Sequence, residues 1–324
     1  MLKVENLKKV YDTKVKKGLF KSERFLVEAV KGIDMEIKEG QIVGLLGING
    51  AGKTTTIKML STLLSPTSGS INIDGLDVVK DSEEVKKRVN MVAGGERMLY
   101  WRLTGRENLK YYGELYNIDS KKLESRIDYL LDLVGLTEKQ NLAVERYSKG
   151  MKQRLQIARG LINDPSYIFM DEPTLGLDAV IARELRKHVK DIAHNEGKAI
   201  LLTSHYLQEV EELCEYIYIL DSGKIIAQGT PKELSHIGMS HKVLCIEVDS
   251  LNQKLHQDIK RLCMSINGCS MSFHEENRLY TIKSLEDIST EVARILMENN
   301  MPIKSFYSKE PNLEDAIIKL SKGA

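Results

Sequence analysis

The sequence predicts an α/β chain of two domains, a larger one over residues 1–235 and a smaller α+β one over residues 236–324. Three observations carry that prediction. After residue 40, short apolar runs alternate with amphipathic helical stretches, the pattern of a mostly parallel sheet covered on both faces. Before it, residues 2–5, 27–30 and 33–37 alternate apolar and polar, as antiparallel strands with one wet face do. Beyond about residue 236 the pattern restarts with a different order of elements. A length of 324 residues fits one large domain and a smaller one.

Taken in order, Ile42-Val43-Gly44-Leu45-Leu46 is fit for a buried parallel strand, and residues 54–64 behind it have helical periodicity. Pro66-Thr67-Ser68-Gly69 predicts a turn, and residues 70–74 a strand. Long charge-rich amphipathic stretches at 107–116 and 121–134 place a helical insertion over about 80–160. Residues 148–163 read as a helix, 167–171 as a strand, 180–195 as a helix, 199–203 as a strand and 206–214 as a helix. Residues 217–221 and 224–228 form a hairpin about Ser222-Gly223. In the smaller domain, strands at 243–248, 270–273, 279–283 and 303–308 alternate with helices at 254–263, 288–299 and 313–320. Its β-α-β-β-α-β order predicts a ferredoxin-like arrangement.

Composition excludes several classes. A net charge of +1 argues against the broad basic field of a dedicated nucleic-acid binder, so no nucleic-acid partner is expected. The basic run Lys14–Arg24 reads as a solvated hairpin or loop, with lipid headgroups or RNA as the alternative contact. Cys214, Cys245, Cys263 and Cys269 lack metal-ligand spacing and read as free thiols in a reducing compartment. The first residues, Met1-Leu2-Lys3-Val4-Glu5, read as a strand and not as the apolar core of a signal peptide. Every apolar run is far shorter than the about 20 residues that a spanning helix needs.

The chemistry starts at Gly47-Ile48-Asn49-Gly50-Ala51-Gly52-Lys53-Thr54, set between a buried strand and a helix. Glycines let the backbone wrap so that successive N–H groups point at phosphate oxygens, and the helix adds its positive N-terminal end. Lys53 supplies a mobile charge for the β and γ phosphates and Thr54 a hydroxyl for Mg²⁺, as in a P-loop that binds and hydrolyses ATP. The second feature is Tyr167-Ile168-Phe169-Met170-Asp171-Glu172. A strand ending in two carboxylates places Asp171 at the carboxyl edge of the sheet, near the metal, and makes Glu172 the candidate general base. Alone, such a strand end is commonplace. Behind the glycine loop it reads as function.

Between these features, Tyr147-Ser148-Lys149-Gly150-Met151-Lys152-Gln153-Arg154 resembles the signature motif of ABC ATPases, Leu-Ser-Gly-Gly-Gln. Ser148 and Gly150 match; Tyr147, Lys149 and Met151 depart. A serine hydroxyl and a glycine N–H at a helix start can hold a phosphate. In the resembled family that phosphate belongs to ATP bound on the partner subunit, so two chains sandwich two nucleotides head to tail. Pro173-Thr174-Leu175-Gly176-Leu177-Asp178 resembles the family's D-loop, and His205 stands at the place of its switch histidine, in contact with the γ phosphate. Tyr11 stands where the family stacks an aromatic on adenine, and Thr55 completes the nucleotide-binding set. The family's glutamine, which reaches Mg²⁺ and water, is replaced by Gly95 with Glu96 beside it. Glu96 is one candidate substitute as a metal-side ligand. The alternative is a junction that couples to a membrane subunit without touching Mg²⁺.

The resemblance covers residues 1 to about 235 and is closest to ATPase subunits of bacterial drug-resistance exporters of the daunorubicin type, through Tyr-Ser-x-Gly-Met, Gly-Glu-Arg…Tyr-Trp-Arg-Leu-Thr and the tail Glu310–Ala316. It implies a homodimer, or a pair with a close paralogue, peripheral on the cytoplasmic face of a bacterial membrane and bound to a separate permease that exports an unidentified cargo. Tyr100-Trp101 would lie either near that docking surface or in ordinary packing of the insertion. Residues 236–324 are expected to stabilise the dimer. The rival readings are a soluble ABC ATPase with a regulatory or translation-related role, and an importer ATPase. The short stretch from Lys53 to Asp171 leaves no room for the long coiled coil of chromosome- and repair-type members.

Overall fold

The computed structural model describes residues 1–16, 22–93, 98–238, 242–249, 252–309 and 312–322. The chain divides into two units, Met1–Pro231 and Lys232–Ala324. In the first unit, the most apolar runs form the central sheet, with β3 (Ile42–Leu46) and β8 (Ala199–Thr203) buried along their whole length. They join β6 (Val89–Ala93), β7 (Tyr167–Asp171), β9 (Tyr216–Asp221) and β10 (Lys224–Gly229) in the order β10-β9-β3-β8-β7-β6. All pairings in it are parallel except the β9–β10 hairpin. Parallel strands need both faces covered, hence their continuous apolar character.

The half-polar strands make a second, antiparallel sheet. It consists of β1 (Leu2–Lys16), β2 (Ser22–Ile37), β4 (Ser68–Ile73) and β5 (Leu76–Asp77), in the order β2-β1-β4-β5. The stretches 27–30 and 33–37 are parts of one strand, β2, which pairs with β1 as far as Lys16↔Ser22. The tip of the basic segment, residues 17–21, lies outside the described residues. Helix α1 (Lys53–Leu60) belongs to the core that the two sheets share. Its Ile57, Met59 and Leu60 are fully buried among Val30, Ile33 and Met35 of β2 and Val43, Leu45 and Phe169 of the central sheet. Taking each such side chain out of water contributes about 1.5–3 kcal/mol. The helix that follows the glycine loop is thereby fixed in place.

The helical insertion is narrower than the expected 80–160. Helix α2 (Ser82–Arg88) leads directly into β6, which pairs with β7 and so belongs to the central sheet. The run of charges from Glu83 to Arg88 masks a five-residue strand in the sequence. The helical part proper is α3 (Gly105–Leu115), α4 (Ser120–Leu133) and α5 (Lys149–Gly160). Their starts are capped by Thr104 with Glu107, by Asp119 and by Ser148. Helix α5 lies against β6 through Gly160, where a Cβ would come 2.4 Å from Val92 Cγ2. After β7 come α6 (Ala179–Glu196), capped by Asp178, and α7 (Leu207–Leu213).

The second unit begins with α8 (Pro231–Gly238). It continues β11 (Lys242–Val248), α9 (Gln253–Ser265), β12 (Ser270–His274), β13 (Leu279–Ser284), α10 (Ser289–Glu298), β14 (Ile303–Lys309) and α11 (Leu313–Lys322). Its sheet runs β12-β13-β11-β14, antiparallel throughout. Leu244, Ile246 and Val248 of β11 bury one face against Leu255 and Ile259 of α9 and Val292 and Leu296 of α10. All four cysteines are free.

Phe169 is 1% exposed at the centre of β7. We expect Phe169→Ala to lower stability by about 3–5 kcal/mol in urea unfolding; a loss below about 1 kcal/mol would contradict its place in the shared core.

Candidate active site

The glycine loop is shaped by what lies under it. A Cβ at Gly47 would sit 2.1 Å from the Leu220 carbonyl oxygen, and one at Gly52 2.5 Å from that of Ala29. Gly52 also holds φ +108°. Only glycine fits both positions. Ala51 is buried and anchored, its carbonyl accepting from Gly223 N–H at 3.0 Å, while Ile48, Asn49 and Gly50 are exposed at the rim. Helix α1 starts without a side-chain cap, leaving its N-terminal end for an anion. The Lys53 ammonium, 7% exposed, donates to the carbonyls of Gly47 at 2.6 Å and Ile48 at 3.2 Å, so it lies along the loop. Burial lowers its pKa, and the negative charges of Glu172 and Asp171 oppose that shift.

The carboxylates stand at the C-terminal end of β7, beside the end of β8. Asp171 Oδ2 accepts from the Thr54 hydroxyl at 3.2 Å, and its Oδ1 from the Thr203 hydroxyl at 2.7 Å. The same Thr203 oxygen accepts from Glu172 N–H at 3.1 Å. Glu172 takes a left-handed backbone, φ +53°, uncommon for a side chain of this size. Its Oε1 lies 2.7 Å from His205 Nε2. Lys53, Thr54, Asp171, Glu172 and His205 therefore form one connected set of contacts and charges.

Tyr11 sits beside α1, its hydroxyl 3.4 Å from the Thr55 hydroxyl, with Lys9 over its ring at 5.5 Å. Ser148 and Gly150 are elsewhere. Ser148 is exposed and caps α5 by accepting from Met151 N–H at 3.2 Å; Gly150 is buried against Ile181 of α6. Among the described residues no hydrogen bond joins Ser148 or Gly150 to residues 47–55. Gly95 and Glu96 lie outside the described residues. Tyr100 and Trp101 are both half-exposed; Tyr100 stacks edge-on against Tyr111 at 4.7 Å, and Lys152 of α5 lies 4.7 Å above the Trp101 ring.

Sequence reasoning missed the residues that hold this set together. Thr203 is one. The others are Thr174, Ser204 and Glu209: the Glu209 carboxylate, 2% exposed, accepts from Thr174 at 2.8 Å and Ser204 at 2.5 Å. Burial pushes the Glu209 carboxyl up, against the pull of those two hydroxyls. The available signal was a charged residue in the inward row of α7, beside Val210 and Leu213.

With this geometry in hand, residues 30–175 match the ABC transporter family model. The linearmycin resistance ATP-binding protein LnrL of Bacillus subtilis (strain 168) is 34% identical over 99% of this chain and 98% of its own length. The chain belongs to the ABC transporter ATP-binding family. It is 41% identical to the ABC transporter ATP-binding protein NatA of the same organism, over 66% of this chain and 87% of NatA. It is 31% identical to the daunorubicin resistance ATP-binding protein DrrA2 of Streptomyces coeruleorubidus, over 90% of each. Among solved structures, a dimeric ATP-binding cassette in a post-hydrolysis state with ADP and Pi superposes with a TM-score of 0.61. Its identity is 26%, over 71% of this chain and 98% of that one. The protein is thus an ABC ATPase that binds and hydrolyses ATP, and it resembles drug-resistance exporter subunits.

In this ABC ATPase, Gly52→Ala forces a Cβ into the Ala29 carbonyl under a positive φ. We expect that variant to lose ATP binding at least tenfold, measured by nucleotide titration, with Gly75→Ala, where a Cβ meets nothing within 4 Å, as the control for backbone strain alone.

Proposed function

We propose that this ABC ATPase is the nucleotide-binding subunit of an exporter whose permease is a separate chain. Two copies, or one copy and a close paralogue, close around two ATP molecules. Each site takes Gly47–Thr55 and Tyr11 from one chain and Ser148 with Gly150 from the other. The observation that carries the reading is the joined set Lys53–Thr54–Asp171–Glu172–His205, to which the chain's own Ser148 and Gly150 make no hydrogen bond. The dimeric cassette with ADP and Pi supports the pairing. The names of the linearmycin and daunorubicin resistance relatives, and of a Nod factor export ATP-binding protein, support export. Among the described residues no helix is long and apolar enough to cross a membrane. In this reading the chain sits peripherally at the cytoplasmic face of a bacterial membrane.

In this reading the loop N–H groups and Lys53 hold the phosphates, and Tyr11 stacks on adenine. The Thr54 hydroxyl and the Asp171 carboxylate are hard oxygen donors 3.2 Å apart on the open side of the loop, and they fit Mg²⁺, which takes few protein ligands and completes its shell with phosphate and water oxygens. When bound, the ion neutralises phosphate charge. Glu172 takes the proton of the water that attacks the γ phosphorus as the bond to the ADP oxygen breaks. His205 hydrogen-bonds Glu172 and reaches the γ phosphate. Closure drives transport because ATP gains contacts with the second chain only in the closed pair.

We expect Glu172→Gln to bind ATP, lose about 10²–10⁴-fold in phosphate release and collect as a dimer in size-exclusion chromatography with ATP. Near-normal turnover would sink the base assignment. Purification from the native membrane should recover a polytopic permease with the chain; recovery from the soluble fraction with no membrane protein would overturn export.

A further inference from the structure

We propose that Glu209 is a positioning residue for ATP hydrolysis, its buried carboxylate fastening together the two segments that carry Glu172 and His205. This rests on the assignment of those two residues to the chemistry. Thr174 lies two residues past Glu172, and Ser204 immediately precedes His205. One oxygen of Glu209, Oε2, accepts from both hydroxyls, at 2.8 Å and 2.5 Å. Ser204 Oγ also accepts from Tyr206 N–H at 3.0 Å, so the chain is held on both sides of His205.

Fold stability does not account for this carboxylate. Glu209 shares the inward row of α7 with Val210, 0% exposed, and Leu213, 3% exposed, and its Oε1 is buried without a partner. A half-satisfied buried carboxylate costs stability, and an apolar side chain would suit that row better. What it does accomplish is local. The Glu172 backbone stands at φ +53°, a conformation that persists only where its surroundings hold it. Thr203 fixes the Glu172 N–H from one side. Glu209, through Thr174, fixes the chain that leaves Glu172, and through Ser204 the chain that reaches His205. The 2.7 Å contact between Glu172 and His205 depends on both.

The test uses the full chain and three readouts: kcat for ATP hydrolysis, ATP affinity and the thermal midpoint. We expect Glu209→Ala to lower kcat at least tenfold with ATP affinity within about twofold, because the glycine loop is untouched. Glu209→Gln, whose amide oxygen still accepts both hydroxyls, should keep at least a third of kcat. Ser204→Ala with Thr174→Val should reproduce the Glu209→Ala defect, and adding Glu209→Ala to that pair should cost nothing further, as groups acting through one another do. Where Glu209→Ala does not fold, the Ser204/Thr174 pair carries the same test. Normal kcat in Glu209→Ala, a loss that falls equally on ATP affinity, or a Glu209→Gln as inactive as the alanine would each overturn the inference. Glu172→Gln is run beside them. If it turns over normally, the underlying assignment fails and this inference with it; if it is inactive while Glu209→Ala is fully active, this inference alone fails.

Discussion

The site depends on one residue. The Thr203 hydroxyl donates to Asp171, and the Thr203 hydroxyl and carbonyl both accept from Glu172 N–H at 3.1 Å, so one residue at the end of β8 orders both carboxylates at the end of β7. It can do so because β7 and β8 pair in parallel register with Asp171 opposite Thr203. A slip of one residue would turn every side chain of one strand to the other face of the sheet. The register is held by the buried runs Tyr167–Met170 and Ala199–Leu202, whose apolar side chains are covered on both faces. Hydrophobic burial thus sets, at a distance of several residues, which oxygen meets which N–H.

The same logic reaches the other wall. Helix α1 cannot rotate without pulling Ile57, Met59 and Leu60 out of the core shared by the two sheets. That fixes where Lys53 and Thr54 start, and the carbonyls of Leu220 and Ala29 beneath Gly47 and Gly52 fix how the loop arrives there. The loop and the carboxylates come from separate strands of one sheet, β3 and β7, with β8 between them. Thr54 and Asp171 meet across that gap, and the end of β8 with the segment just after it contributes the threonine and histidine that complete the set.

How far the sequence was legible follows from the range of each interaction. The glycine loop, the Asp171-Glu172 strand end and the helix caps are local patterns whose physics acts within a few residues, and they read directly. Strand β6 did not, since a five-residue run broken by Asn90, directly behind a charged helix, carries too little signal. Thr203, Thr174, Ser204 and Glu209 could not be read as a group, because their roles arise from pairings up to 35 positions apart. The exposed Ser148 was legible as a helix cap and as a motif, yet only the structure shows that it stands apart from the chain's own loop in its hydrogen bonds.

The departures from the signature pattern have a physical account as well. Tyr147, in place of leucine, is 4% exposed and donates to the Lys139 carbonyl at 2.8 Å. It fits because residue 105 is glycine: a Cβ there would lie 2.3 Å from the tyrosine oxygen. Gly105 stands at the first position of α3, where the capping pair Thr104 and Glu107 offsets the poor helix propensity of glycine. Lys149 stands in place of a glycine, and its ammonium rests where a Cβ of Gly176 would be, 2.1 Å away. Gly176 is in turn at φ +71°, so a side chain there would meet both a strained backbone and the lysine. Two of the three departures, Tyr147 and Lys149, are therefore each matched by a glycine facing them. The motif has changed in shape while its Ser148 hydroxyl and Gly150 backbone remain at the start of α5, the two groups that a phosphate of a second chain would need.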